Sequence, residues 1–223
     1  MRKRFLIVAV IAGGLVAGPW AQPGRASWVS THCYVWSHLE GGLKRMDART
    51  YAGYAAHEGY EWGGGCWNNN DVDDTPGAPQ SSGEGPDCSG LVFKAWELLQ
   101  DYGADGFRWY SRWMNVHGPY TAAAFHNAGG SGPFRLLADK SRITTLYMDA
   151  FASLGHVGLI WSNSVPSGGG DYIIEAYNDA QGTDVNVEDY RADTSFRAVR
   201  RKQWTADCAP RCGTGLTRTA IVS

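Results

Sequence analysis

Three side chains in this sequence have the types and the local settings that acyl-transfer chemistry needs. The first is Cys88, in Asp87-Cys88-Ser89-Gly90-Leu91. Asp87 is a helix start signal, and an amphipathic run follows it. A cysteine in a first helical turn faces unpaired backbone N–H groups and the positive end of the helix dipole, which favours thiolate over thiol. The second is His156, at the entrance of a strand in Gly155-His156-Val157-Gly158. The third is Glu175, a polar residue among Ile173, Ile174 and Ala176. A hairpin centred near Val165 and Pro166 reflects His156 onto about Glu175. Cross-strand neighbours touch, so the carboxylate can accept from one imidazole nitrogen and leave the other for a thiol proton. Asn178 falls on the opposite face if the strand continues. The plainer alternatives are a buried or bridged cysteine at a helix start and an edge-strand glutamate facing water.

These residues need elements to hold them. Leu91 to Gln100 has Leu91, Val92, Ala95, Leu98 and Leu99 on one side and Lys94, Glu97 and Gln100 elsewhere, the pattern of a packed surface helix. Lys44 to His57 carries Ala48, Tyr51, Ala52 and Ala55 at helical spacing and ends before Gly59, with Gly53 weakening it. Ile143 to Phe151, Val157 to Trp161, Tyr172 to Tyr177 and Phe196 to Val199 read as strands. Helices first and antiparallel strands afterwards predict an α+β domain.

Between these elements, Cys66 to Gly85 is a polar surface loop. Its Asn69, Asp71 and Asp73 alternate like the opening of a calcium loop, but Asp74 and Gln80 stand where glycine and glutamate belong, so no metal is expected. Gly106 to Phe125 interleaves Phe107, Trp109, Tyr110, Trp113 and Tyr120 with Arg108 and Arg112. That suits either a groove for a polar polymer or peptide or a lid packed on the core.

The chain has 223 residues, with 10 tryptophans and 29 glycines, enough for one well-buried domain with aromatic surfaces and tight turns. Residues 1–26, with Arg2-Lys3-Arg4, an apolar run from Phe5 to Val16 and small residues after it, read as a secretory signal peptide. The run is shorter than the roughly 20 residues a spanning helix needs, so no membrane attachment is expected after cleavage. Removal leaves 16 Lys and Arg against 22 Asp and Glu, which is not the footprint of a nucleic-acid binder. Five cysteines in an oxidising compartment leave one unpaired. Among Cys33, Cys66, Cys208 and Cys212 one or two disulfides are expected, with the pairing open, and Cys88 is the thiol left over. Zinc at Cys208 and Cys212 lacks a second ligand pair.

Tyr60-Glu61-Trp62-Gly63-Gly64, Asp87-Cys88-Ser89-Gly90-Leu91-Val92, Gly155-His156-Val157-Gly158-Leu159-Ile160 and Ile173-Ile174-Glu175-Ala176, in this order, resemble the NlpC-type cell-wall peptidases. The resemblance covers about residues 43–201, with Phe196-Arg197-Ala198-Val199-Arg200-Arg201 as a closing strand. It leaves 27–42 as an N-terminal extension and 202–223 as a tail. It implies a papain-like fold, with the nucleophile at a helix start and an antiparallel sheet carrying the histidine and third residue. It also implies a secreted, monomeric thiol endopeptidase without cofactor, acting on peptidoglycan stem peptides, commonly between D-glutamate, through its γ-carboxyl, and the diamino acid. Cys88 would be the nucleophile, His156 the general base and acid, and Glu175 the orienting group, a position where the family most often has histidine. Tyr60, Trp62, Asp87 and Ser89 would contact substrate, with Tyr60 beside the thiol and the Cys88 N–H helping to hold an oxyanion. The competing expectations are an amidase-like relative with a Cys/His/Glu/Asn site, a silent wall-binding module, and an exported effector acting on another amide.

Overall fold

A computed structural model describes residues 43–67, 85–98 and 117–205. The leader, the Asn69 to Gln80 stretch, residues 106–116, and Cys33, Cys208 and Cys212 lie outside the described residues.

Among the described residues, three helices and eight strands follow in the order α1 (Arg45–Gly53), β1 (Gly65–Cys66), β2 (Gly85–Pro86), α2 (Cys88–Ala95), α3 (Ala122–His126), β3 (Phe134–Leu136), β4 (Ala150–Ala152), β5 (Val157–Ser162), β6 (Asp171–Asn178), β7 (Gly182–Glu188) and β8 (Arg197–Arg201). The protein is α+β. Strands β3-β8-β4-β5-β6-β7 form one antiparallel sheet, and β1 and β2 make a separate short antiparallel pair.

The two faces of the sheet carry different cores. Ala150, Ala152, Val157, Leu159, Ile174 and Val199 face the helices and meet Leu91, Val92 and Ala95 of α2. The alternate residues Phe151, Ile160, Ile173 and Ala198 join Tyr190 and Phe196 in a second cluster, as the two-residue period of a strand requires. Trp96, Phe125 and Phe134 extend the first core, with ring centroids 5.9 Å apart for Trp96 and Phe125 and 4.7 Å for Phe125 and Phe134.

Several sequence expectations need correction. Helix α2 ends at Ala95 and is buried on every side, Lys94 included, because the sheet, α1 and the β1–β2 pair all pack against it. It is an interior helix, not a surface one. Helix α1 stops at Gly53, and irregular turns carry the chain to Gly59. The stretch from Ile143 is not a strand until Ala150. Ser141 and Asp149 take up nearby backbone groups, with Ser141 O accepting from Thr145 N and Asp149 Oδ2 from Leu146 N, and Ile143 is 95% exposed. Local turn bonding outweighs strand propensity there. Strands β3 and β7 and helix α3 were not anticipated. The described end of the aromatic stretch, with Tyr120 and Phe125, is packed into the core.

Candidate active site

Asp87 is the N-cap of α2. Its Oδ1 accepts from Gly90 N at 2.6 Å, and its own N–H donates to Gly64 O at 3.0 Å, which ties the segment before β1 to the helix start. Its Oδ2 accepts from Gly63 N at 3.0 Å. Cys88 is thereby the first helical residue, with an N–H that no intrahelical carbonyl can reach. The thiol is free and buried. Cys66, at the end of β1, is buried.

His156 stands one residue before β5, beyond the last β4–β5 pair, Ala152 with Val157. At this end of the sheet its ring meets groups from both faces. Its Nε2 lies 2.6 Å from Glu175 Oε2, and the Cys88 thiol is near enough to the imidazole to raise its affinity for a proton. Since Glu175 takes Nε2, Nδ1 is the atom left to exchange a proton with Sγ.

The His156–Glu175 contact arises differently from the sequence expectation. Leu159 pairs with Ile174 and Ile160 with Ile173, so the hairpin centre falls between Pro166 and Ser167, one residue later than expected. Continuing that register puts Tyr177 across from His156 and Gly158 across from Glu175. Tyr177 accordingly lies edge-on to the imidazole, with centroids 5.6 Å apart. Glu175 reaches His156 diagonally, across the space that Gly158 leaves open. A Cβ at Gly158 would stand 2.5 Å from Ile173 Cγ2 and 3.3 Å from Glu175 Oε2.

Glu175 is fully buried, and three donors or donor-capable groups surround it. Tyr190 OH donates to Oε2 at 2.7 Å, Asn186 Nδ2 donates to Oε1 at 3.2 Å, and His156 Nε2 is the third. Buried charge persists only when it is paired and hydrogen-bonded in this way. The imidazole of His156 is accordingly raised from 6.5 to about 9. Burial opposes its cation, and the hydrogen bonds and charges of Cys88 and Glu175 outweigh burial. The Tyr190 phenol is pushed far upward by burial and by the charge and hydrogen bond of Glu175, so it remains a donor.

Tyr60 is pushed up as well, first by burial and then by the charges of Cys88, Asp87 and Asp179. It is therefore an undissociated O–H close to the thiol. Trp62 is 64% exposed, while Asp87 and Ser89 are buried. Of the four residues expected to contact substrate, Trp62 is the openly exposed one, and the described hydrogen bonds of Asp87 and Ser89 are spent inside the protein.

Three residues of this site escaped the sequence reading: Asn186, Tyr190 and His117. Thr183, Val185 and Val187 alternate with polar residues along β7, a period-two signal that could have revealed Asn186. Nothing local announces Tyr190 or His117.

Among the described residues no helix is long and apolar enough to cross a membrane, and no group of three or more His, Cys, Asp and Glu could hold a metal. A cavity of about 330 Å³ beside Glu97, Pro133 and Arg201 shares no lining residue with the thiol site. No protein-family model matches the chain, and no curated protein or solved structure was found to match it.

Proposed function

We propose that this protein is a secreted papain-like thiol hydrolase that cleaves amide bonds in peptidoglycan stem peptides. The observation that carries the reading is one imidazole held between a buried carboxylate and the free thiol at a helix start. Few structural roles require a cysteine, a histidine and a glutamate in that sequence of contacts, and nucleophilic acyl transfer does.

In this reading the His156 imidazolium and the Cys88 thiolate form the resting pair. The thiolate attacks the amide carbonyl carbon, and the charge that moves to oxygen is met by the Cys88 N–H, with Tyr60 as a neutral donor at hand. His156 gives its Nδ1 proton to the leaving nitrogen as the C–N bond breaks, which leaves a thioester on Cys88. A water then loses a proton to the same Nδ1 and attacks the thioester carbon. The C–S bond breaks, and the product acid leaves. Glu175 keeps the ring oriented and stabilises its cation throughout.

The choice of stem peptides, and of the bond from the D-glutamate γ-carboxyl to the diamino acid, rests on the four sequence motifs. Asn186 supports a second reading. Its bond to Glu175 completes a Cys/His/Glu/Asn set, as in the amidase-like enzymes.

The test is a digest of purified peptidoglycans of more than one stem-peptide type by the mature chain and by Cys88→Ala, with products identified by mass spectrometry. Stem-peptide fragments released by the wild type and absent with Cys88→Ala are expected. Release of an intact stem from the glycan would favour the amidase reading. No release from any wall by folded, reduced protein would overturn both.

A further inference from the structure

A second histidine lies on the far side of the catalytic helix start. His117 Nε2 is 3.0 Å from Asp87 Oδ2 and 2.6 Å from Ser89 Oγ, and its Nδ1 is 2.8 Å from Gly118 O. The protonation state follows from the partners. Gly118 O can only accept, so Nδ1 carries a hydrogen. Ser89 Oγ gives its own hydrogen to Asp87 Oδ1 at 3.1 Å, and Asp87 Oδ2 is a carboxylate oxygen, so both groups facing Nε2 are acceptors as well. A ring with an acceptor at each nitrogen is an imidazolium. The raised affinity of His117 for its proton, to which burial is opposed and Asp87 and Gly118 contribute, agrees with this.

The ring is held there by its neighbour. Gly118 has φ of +86°, and a Cβ on it would fall 2.4 Å from the Phe93 ring, so the chain lies flat on α2 at this point. The clamp acts on the two residues that flank the nucleophile. Asp87, one residue before Cys88, is an anion, and an uncompensated anion there would disfavour a second negative charge on Sγ. A cation on Asp87 Oδ2 offsets that cost.

Resting on the thiol-hydrolase reading above, we propose that His117 is a positioning residue, a cationic clamp on the Asp87–Ser89 turn that eases ionisation of the Cys88 thiol. Among the described residues, the ionisable groups acting around the network include Asp87 and Cys88 at the head of α2, Tyr60 before β1, Asp179 near Tyr60, and His156 with Glu175 beyond the thiol.

The test is the pH profile of Cys88 alkylation by iodoacetamide in the full mature chain, for wild type, His117→Ala and His117→Gln, with melting temperatures alongside. Gln retains a hydrogen-bond donor but carries no charge. The wild type should label at mildly acidic pH, and both variants should move the midpoint upward by about one pH unit, a tenfold loss of reactivity on the acid limb. A lowered melting temperature with an unmoved midpoint in His117→Gln would show that the clamp is structural only and would overturn the proposal. If His117→Ala does not fold, His117→Gln decides alone. Wild-type Cys88 that labels no faster than an ordinary thiol would instead remove the hydrolase reading itself, so the two failures are distinguishable.

Discussion

Glu175 is fully buried, and its hydrogen-bond partners are not its sequence neighbours. They are Tyr190, Asn186 and His156, and the first two come from beyond the β6–β7 turn. The consequence reaches His156, whose cation persists to about pH 9 partly through the bond and charge of Glu175. In Glu175→Gln the side chain keeps its shape and loses its charge, so the imidazolium should lose its proton at lower pH. Activity that requires His156 to protonate a leaving nitrogen would then fall earlier on the alkaline side. Under the thiol-hydrolase reading, kcat/KM on the wall substrate should drop about a hundredfold or more, and the alkaline limb should move down from about 9. A pH–rate profile of the two proteins checks this. An unmoved limb would separate Glu175 from the ionisation of His156.

At the scale of elements, β5 and β6 decide whether the histidine and the glutamate meet. Val157, Leu159 and Ile174 hold the pair of strands against α2, while Ile160 and Ile173 occupy the other face, so a slip by one residue would exchange the two faces. Within that register Gly158 is the open position across which Glu175 reaches. Gly158→Ala should force Ile173 and Glu175 apart, costing about 1–3 kcal/mol of stability and weakening the contact with His156. Chemical denaturation reads the first effect, and the alkylation rate of Cys88 reads the second. Loss of stability with unchanged thiol reactivity would mean that Glu175 finds His156 by another route.

For the whole molecule, two buried aspartates fasten parts of the chain that are far apart in sequence. Asp149 accepts from Arg45 of α1 at 2.9 Å and from Arg200 of β8 at 2.6 Å. Asp171, at the start of β6, accepts from Arg142 at 2.7 Å and from Arg191 at 2.9 Å. Such charges are retained because each has a partner, and removing one side leaves the other stranded. Asp149→Ala should therefore destabilise the fold by about 3–5 kcal/mol, measured by urea unfolding, with thiol reactivity unchanged wherever the protein is still folded. A small loss would show that water replaces the carboxylate at Arg45 and Arg200.

The amino-acid sequence by itself determined the parts governed by neighbours along the chain. An aspartate ahead of an apolar run defines the α2 cap, apolar runs between turn residues define the cores of β5 and β6, and the order of helices and strands defines an α+β chain. Those signals depend on bonds and contacts within a few residues. What only the tertiary structure decided depends on packing between distant segments. The hairpin centre moved by one residue, so Tyr177 rather than Glu175 stands across from His156. Lys94 is buried because α1, the sheet and the β1–β2 pair enclose α2 together. His117 follows Ser89 by 28 positions and Tyr190 follows Glu175 by 15, yet each donates into the network around those residues. Hydrogen-bond partners at such separations are set by how the elements pack, and residue type alone carries no record of which donor will arrive.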